Sequence, residues 1–331
     1  MIRFLLRRLI ILGPMVLLVL TITFFLVSLA PGSPFSSERR LAPEIEANLN
    51  AKYGFDQPRW KQYVRFLGRL AGFEYDLYTH KYTWNVYPDF GDSTRYKDRR
   101  VNDIILEALP VSAILGITAY LIALGIGLTF GIVSSLRQNS WLDHLTMTGA
   151  MLGISIPNFV LGPLLVLLFS LTLYLFPPAR LEWAFEWGYF RIPTLRSLFL
   201  PAITLSAVYI AYIARLTRAA MLETLQQDFI RTARAKGVPE LRIVFRHALR
   251  GAILPVVSFT GPALAFLISG AIVVETVFSV PGLGRYFVEA ATNRDHFLLL
   301  GITGFVSIAL MGMNLLTDIA YAFLDPRIRY E

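Results

Sequence analysis

RTARAKGVPELRIVFRHALRGAILPV, from Arg231 to Val256, is a cationic stretch set between apolar runs long enough to cross a bilayer. Its reading decides the fold. Met221–Lys236 has the spacing of a helix, with Leu222, Leu225, Phe229 and Ala233 on one face. Gly237 supplies a stop, and Pro239 suits the first turn of a second helix. There Leu241, Val244, Phe245, Ala248 and Leu249 follow an amphipathic helical pattern, while Arg242, Arg246 and Arg250 fall on another face. A helix, a tight turn and a helix therefore project between two spans. Such a unit is either a membrane-surface element whose arginines meet lipid phosphates or a docking element for another protein. The Gly-Val-Pro bend favours docking, because a helix lying on lipid needs no bend at its centre.

The rest of the chain agrees with a membrane setting. Of 331 residues, 55% are hydrophobic and 16% charged, against about 25% charged in soluble domains. With no cysteine, a disulfide framework and a thiolate metal site are both excluded. The four histidines, His80, His144, His247 and His296, show no ligand spacing, so no metal or catalytic group is expected. The net charge of +8 suits loops facing anionic lipid rather than nucleic acid.

Six apolar segments qualify as spans: Leu9–Ala30, Ile105–Ser135, Leu145–Phe176, Leu198–Ile213, Ala252–Phe278 and Phe297–Leu324. The fourth is short and ends at Arg215, and the second and third are long enough to tilt or kink. The expected fold is thus an all-α integral membrane protein of six transmembrane helices. The first segment, preceded by Arg3, Arg7 and Arg8, is too long for a signal-peptide core and reads as a retained span. Basic residues of the N-terminus, the loop at Arg137 and the Arg215–Arg250 segment put these on the cytoplasmic side, with both termini inside. Residues 1–30 then hold the first span, 31–102 a folded extracytoplasmic insert, and 103–331 a five-helix core with the hairpin 221–250.

In the insert, Trp60, Tyr63, Val64, Leu67 and Leu70 are spaced for one apolar helix face, and Tyr75–Tyr96 suits a lid or docking surface. Trp183 and Trp187, flanked by Glu182 and Glu186, suggest a short interfacial helix. Gly127 and Gly131 have the small-xxx-small spacing of closely approaching helices. Ser155, Pro157 and Asn158 mark a mid-span break, either a packing kink or a backbone opening onto protein or a water-filled path. Glu275, an acid inside a span, either stabilises a gate or meets a cargo amine. Asn314 and Asp318, four apart, form an expected inter-helix polar pair, bonding to neighbouring helices or to a base such as Arg215.

The segment Arg231-Thr-Ala-Arg-Ala-Lys-Gly237 with Arg246-His-Ala-Leu-Arg250 and Pro255 resembles the coupling (EAA) loop of ABC importer permeases, and more narrowly the first permease subunit of dipeptide and oligopeptide importers. Ordered matches extend along nearly the whole chain: Ala30-Pro-Gly-Ser-Pro34, Phe90-Gly-Asp-Ser93, Leu109-Pro-Val-Ser112, Trp141-Leu-Asp143, Ser155-Ile-Pro-Asn158, Val274-Glu-Thr-Val-Phe278, Pro281-Gly-Leu-Gly284, Asn293-Arg-Asp295 and Leu324-Asp-Pro-Arg-Ile328. It departs where Arg231 and Thr232 replace the motif's Glu and first Ala, and where the closing proline moves to Pro255.

The resemblance implies a type I-like importer permease in a bacterial inner membrane. A second, similar permease would complete the pathway, and an extracytoplasmic binding protein would deliver cargo. Two ATP-binding subunits would carry ATP and Mg, since this chain binds no cofactor itself and has no G-x-x-x-x-G-K-[ST]. Ala233, Arg234, Ala235, Lys236, Gly237, Val238 and Pro239 would couple to an ATPase, with Arg234 and Lys236 facing its acidic groups. Peptide is the expected cargo, with peptide-like antibiotics, glutathione or nickel complexes as alternatives. A self-contained secondary transporter would require inverted repeats or a relay of intramembrane charges. A membrane enzyme would require a motif such as H-E-x-x-H, which is absent.

Overall fold

A computed structural model describes residues 2–29, 35, 42–75, 82–84, 88–177, 185–186, 189–190 and 195–324. Among the described residues, five helices are long and apolar enough to cross a membrane, and a helix pair bent by 105° brings the number to six when it is counted as one span. The first is α1 (Ile2–Leu29) and the second α4 (Val101–Leu136). The third is broken into α5 (Trp141–Ser155) and α6 (Asn158–Leu165), α6 running on as a π-helical stretch over Val166–Thr172. α7 (Leu195–Leu225) is the fourth span, α11 (Leu254–Ile268) with α12 (Ile272–Val277) the fifth, and α14 (His296–Leu324) the sixth.

The fourth span corrects its sequence reading: α7 does not stop at Arg215 but continues to Leu225. The guanidinium of Arg215 lies over the Tyr212 ring, 5.2 Å from its centroid, so the charge is carried without breaking the helix.

α4 and α7 form the central pair, and the glycines explain how closely they approach. A Cβ on Gly127 would lie 2.8 Å from the Ile213 side chain, and one on Gly131 would lie 2.7 Å from the Ala214 carbonyl. Only a hydrogen fits there, as the small-xxx-small spacing predicted. Leu115, Ala119, Ala123, Ile213 and Ala214 fill the seam around them.

Between the first two spans lie α2 (Pro43–Tyr53), α3 (Arg59–Leu70) and an antiparallel pair, β1 (Phe73–Tyr75) and β2 (Tyr82–Trp84). α3 packs on α1 through Tyr63 and Phe66 against Phe24, and the Tyr63 hydroxyl shares a 2.7 Å hydrogen bond with Thr21. The buried face is therefore rotated from the expected one: Phe66 is buried, while Trp60 and Val64 are exposed. Between the broken third span and α7, the short strands β3 (Phe185–Glu186) and β4 (Tyr189–Phe190) pair where an interfacial helix was expected. Trp183 and Trp187 lie outside the described residues, as do Ala30–Pro34 and Asp325–Ile328.

Candidate functional site

The hairpin begins differently from its sequence reading. Met221 belongs to the end of α7, and a turn at Gln226 and Gln227 separates it from α8 (Asp228–Ala235). Asp228 sits in the first turn of α8, where an acid favours the helix dipole, and Arg231 bonds to it at 3.4 Å.

The end of α8 is a Schellman motif. The Gly237 N–H donates to the Arg234 carbonyl (2.9 Å), and the Val238 N–H donates to the Ala233 carbonyl (3.2 Å). Gly237 has φ +73°, a left-handed conformation that a side chain would strain. Pro239 is the N-cap of α9 (Glu240–Arg242) rather than a residue of its first turn, and its carbonyl accepts from Arg242 and Ile243. A π-helical stretch, Ile243–Ala248, then leads into α10 (Leu249–Ala252).

Arg234 closes the turn. Its Nη2 lies 2.6 Å from Glu240 Oε1 and its Nε 3.3 Å from Oε2. This contact holds the Glu240 carboxyl below its ordinary value and raises the Arg234 guanidinium above its own. Arg234 thus braces the turn from within; Lys236 remains exposed.

Met221, Ile230, Ile243, Val244, Ala248 and Ala252 form a buried cluster with Ala233 and Val238 against its edge. The predicted faces are shifted. Ile230 is buried where Phe229 was expected, and Leu241 and Phe245 are exposed where burial was expected. The inward face is filled by smaller residues, leaving Phe229, Leu241, Phe245, Arg242, Arg246 and Arg250 outward. The result is a rigid, self-braced hairpin whose outer surface is both apolar and cationic.

Behind the hairpin stands a buried ion pair that sequence reasoning did not single out. Arg218, on α7, meets Asp143, in the first turn of α5, in bidentate fashion: Nε–Oδ1 2.9 Å and Nη2–Oδ2 2.8 Å. The Asn139 N–H (2.9 Å) and the Ser134 hydroxyl also donate to Asp143. One carboxylate thereby ties α4, α5 and α7 together. The only available signal was an acid in the short loop after the second span and a base on the fourth.

The remaining site residues do not form one cluster. The third span bends by 105° between α5 and α6. Ser155 ends α5 and bonds to the Met151 carbonyl (3.0 Å), Pro157 is the N-cap of α6, and both are exposed. Asn158 Oδ1 is buried with no hydrogen-bond partner among the described residues. One turn on, Gly162 packs on Phe278 and Val277.

Glu275 is sealed, with no exposed surface. It accepts from the Ser112 hydroxyl (2.7 Å) and the N–H groups of Ala271 (3.1 Å), Arg285 (3.2 Å) and Gly284. Ser112 in turn accepts from the Leu283 N–H (2.8 Å). Leu283, Gly284 and Arg285 open α13 (Leu283–Thr292), whose N-cap, Gly282, has no capping side chain. Glu275 and Ser112 therefore cap that helix from outside it. Of its two expected roles, touching cargo is closed to Glu275 in this conformation, because every oxygen is occupied and no solvent reaches it.

Asp318 pairs with Arg8 of α1 (3.0 Å), not with Arg215. Asn314 is exposed one turn away, facing a cleft. The α13–α14 junction holds the insert: Asp295 accepts from the Leu298 N–H (3.2 Å) as the cap of α14 and also from the Ser93 hydroxyl. Tyr96 donates to Glu289, and burial first, then this bond, pushes its phenol above the ordinary value.

Comparison with known proteins decides the family. The model for binding-protein-dependent transport system inner membrane components matches residues 127–330, and the model of the corresponding N-terminal region matches residues 1–116. This chain belongs to that family. It is 44% identical over 330 residues to the oligopeptide transport system permease protein OppB of Salmonella typhimurium, covering 100% of each chain. Identity is 42%, at the same coverage, to OppB of Escherichia coli K12. It is 39% to the dipeptide transport system permease protein DppB of Bacillus subtilis, covering 99% of this chain and 98% of that one. A solved inward-facing MetNI methionine ABC transporter aligns with TM-score 0.49 and 17% identity, over 68% of this chain and 96% of the other.

Proposed function

We propose that this permease forms one transmembrane half of an ATP-driven, binding-protein-dependent importer of oligopeptides. A second permease supplies the other half of the pathway. Two separate ATP-binding subunits carry ATP and Mg, and the chain lies in a bacterial inner membrane with both termini in the cytoplasm. The peptide reading rests on relatives named for oligopeptide and dipeptide transport.

One observation carries the coupling role: the outward face of the braced hairpin, with Phe229, Leu241 and Phe245 exposed beside three arginines. An apolar-cationic ridge on a rigid turn suits a groove in an ATPase. Residues Ala233–Pro239 hold its shape, and Arg218–Asp143 ties α7, the helix that leads into it, to α4 and α5. Alternating access then proceeds by rocking one permease against the other, with the break at Ser155, Pro157 and Asn158 bordering the path. The binding protein docks on the insert and on α13, which Ser93–Asp295 and Tyr96–Glu289 join into one surface.

The test is co-purification of the tagged chain from its own host in mild detergent, with wild type beside Phe245→Asp and Gly237→Trp. Wild type is expected to bring down a second permease and P-loop ATPases, and both variants to lose the ATPases while keeping the permease. Wild type that emerges alone, yet transports peptide in liposomes without ATPases, would sink the reading.

A further inference from the structure

A cleft of about 540 Å³ runs between α1 and α14, within the range of about 300–1,000 Å³ that small-molecule sites occupy. Its chemistry changes in order along its length. At the mouth stands Arg8, paired with Asp318 at 3.0 Å and with 48% of its side chain still exposed. One turn deeper on α14, about 6 Å at the helical rise, is Asn314, exposed in a wall that is apolar apart from Arg8 and from Ser307, whose hydroxyl bonds back to the Thr303 carbonyl (2.8 Å). Beyond it the walls are Met311, Met15 and Val19.

An amide side chain facing hydrocarbon is costly unless something bonds to it. Inward from the mouth, the cleft presents a cation, then an amide, then apolar side chains. A phospholipid presents a phosphate, then glycerol esters, then acyl chains, in the same order and on the same scale. Basic pockets between transmembrane helices are suited to anionic head groups.

We propose that the α1–α14 cleft binds one anionic phospholipid, its phosphate on Arg8, an ester carbonyl on the Asn314 amide, and an acyl chain between Met15 and Met311. The assignment rests on the topology proposed above only for the leaflet, which is the cytoplasmic one. Arg8 keeps its bond to Asp318, which orients the guanidinium, and the exposed part of its side chain meets the phosphate. The lipid would then fill the seam between the first and last spans.

The test uses the full permease with whatever subunits co-purify, in nanodiscs and by native mass spectrometry after delipidation. The probes are phosphatidylglycerol, phosphatidylcholine and inorganic phosphate. Wild type is expected to retain phosphatidylglycerol stoichiometrically and to gain thermal stability from it, but not from phosphatidylcholine or free phosphate. Arg8→Gln should bind it about fivefold more weakly. Because Arg8→Gln also breaks a helix contact, Met311→Trp provides a second test: it fills the cleft without touching the ion pair and should lose the lipid while melting at the wild-type temperature. Equal retention in wild type and Met311→Trp would overturn the proposal, as would stabilisation by inorganic phosphate alone. So would efficient disulfide capture between Met311→Cys, in this cysteine-free chain, and a cysteine on a second permease, because a protein helix would then occupy the cleft. None of these readouts depends on transport or on ATPase recruitment, so the lipid site and the importer reading can fail separately.

Discussion

Two buried carboxylates, Asp143 and Glu275, take a hydroxyl from the same helix, from Ser134 and Ser112 of α4. These serines are 22 positions apart, about 33 Å along the helix. Their charges are met in opposite ways. Asp143 is held by the guanidinium of Arg218, a long side chain reaching from another helix. Glu275 is held by the backbone N–H groups of a turn and of the first residues of α13. Arg285 gives it only its N–H, while its guanidinium goes to Glu289 at 2.9 Å. An ion pair joins elements whose backbones need not touch. A backbone cap requires the turn to come within hydrogen-bond reach, so Gly282 and Gly284 stand where a Cβ would meet the Glu275 carboxylate. The first arrangement suits helices that must stay together while tilting, and the second suits a loop that must keep one shape.

The sharpest way to break this contrast is to remove one charge of the pair. Asp143→Ala or Arg218→Ala leaves a buried or half-buried charge unmatched, and should cost about 3–5 kcal/mol, read as loss of folded protein in thermal denaturation in detergent. A melting point within error of wild type would show that solvent replaces the partner. Glu275→Gln comes next. Its amide turns a donor toward N–H groups that need an acceptor, costing about 1.5–3 kcal/mol, with faster hydrogen exchange expected at Leu283–Arg285. Exchange unchanged there would mean the turn holds without the carboxylate. By contrast Arg285→Ala, which keeps the N–H, should cost under about 1 kcal/mol, and a loss equal to that of Glu275→Gln would erase the distinction between side-chain and backbone neutralisation.

The hairpin supplies the smallest effects. Gly237→Ala strains the left-handed turn and should cost about 1 kcal/mol of local stability, visible as exchange at Val238 and little else. The Arg234–Glu240 brace is largely exposed, so it contributes under about 1 kcal/mol. Since the folded Glu240 carboxyl lies below its ordinary value, that contribution is full above the unfolded carboxyl pKa and is lost as pH falls through the folded value. Protection at Gly237, taken against the intrinsic exchange rate at each pH, should therefore fall with acid in wild type and not in Glu240→Gln; equal acid sensitivity would remove the brace from the account.

Much of the fold was legible because a bilayer imposes length on apolar runs. Segments at the right places became spans, and Gly127 and Gly131 announced a close helix contact that α4 and α7 make. Gly237 ended a helix as read, because a left-handed turn selects its residue locally. What failed was the choice of face. In α3 and in the hairpin, apolar residues occupy more than one side, so periodicity alone does not distinguish Phe66 from Trp60 or Ile230 from Phe229. The end of α7 was misplaced for a related reason: Arg215 looked like a boundary, but an aromatic neighbour carries it.

The sequence by itself determined the membrane-spanning helical class, the position of the Gly-Val-Pro turn and the family, because these depend on local composition, backbone preference and motif order. Only the tertiary structure decided the partners of the charges. Asp143 with Arg218, Glu275 with the start of α13, and Arg8 with Asp318 join residues 75, 10 and 310 positions apart. A buried carboxylate requires some partner to exist, but which one comes within 3 Å is set by how the helices pack.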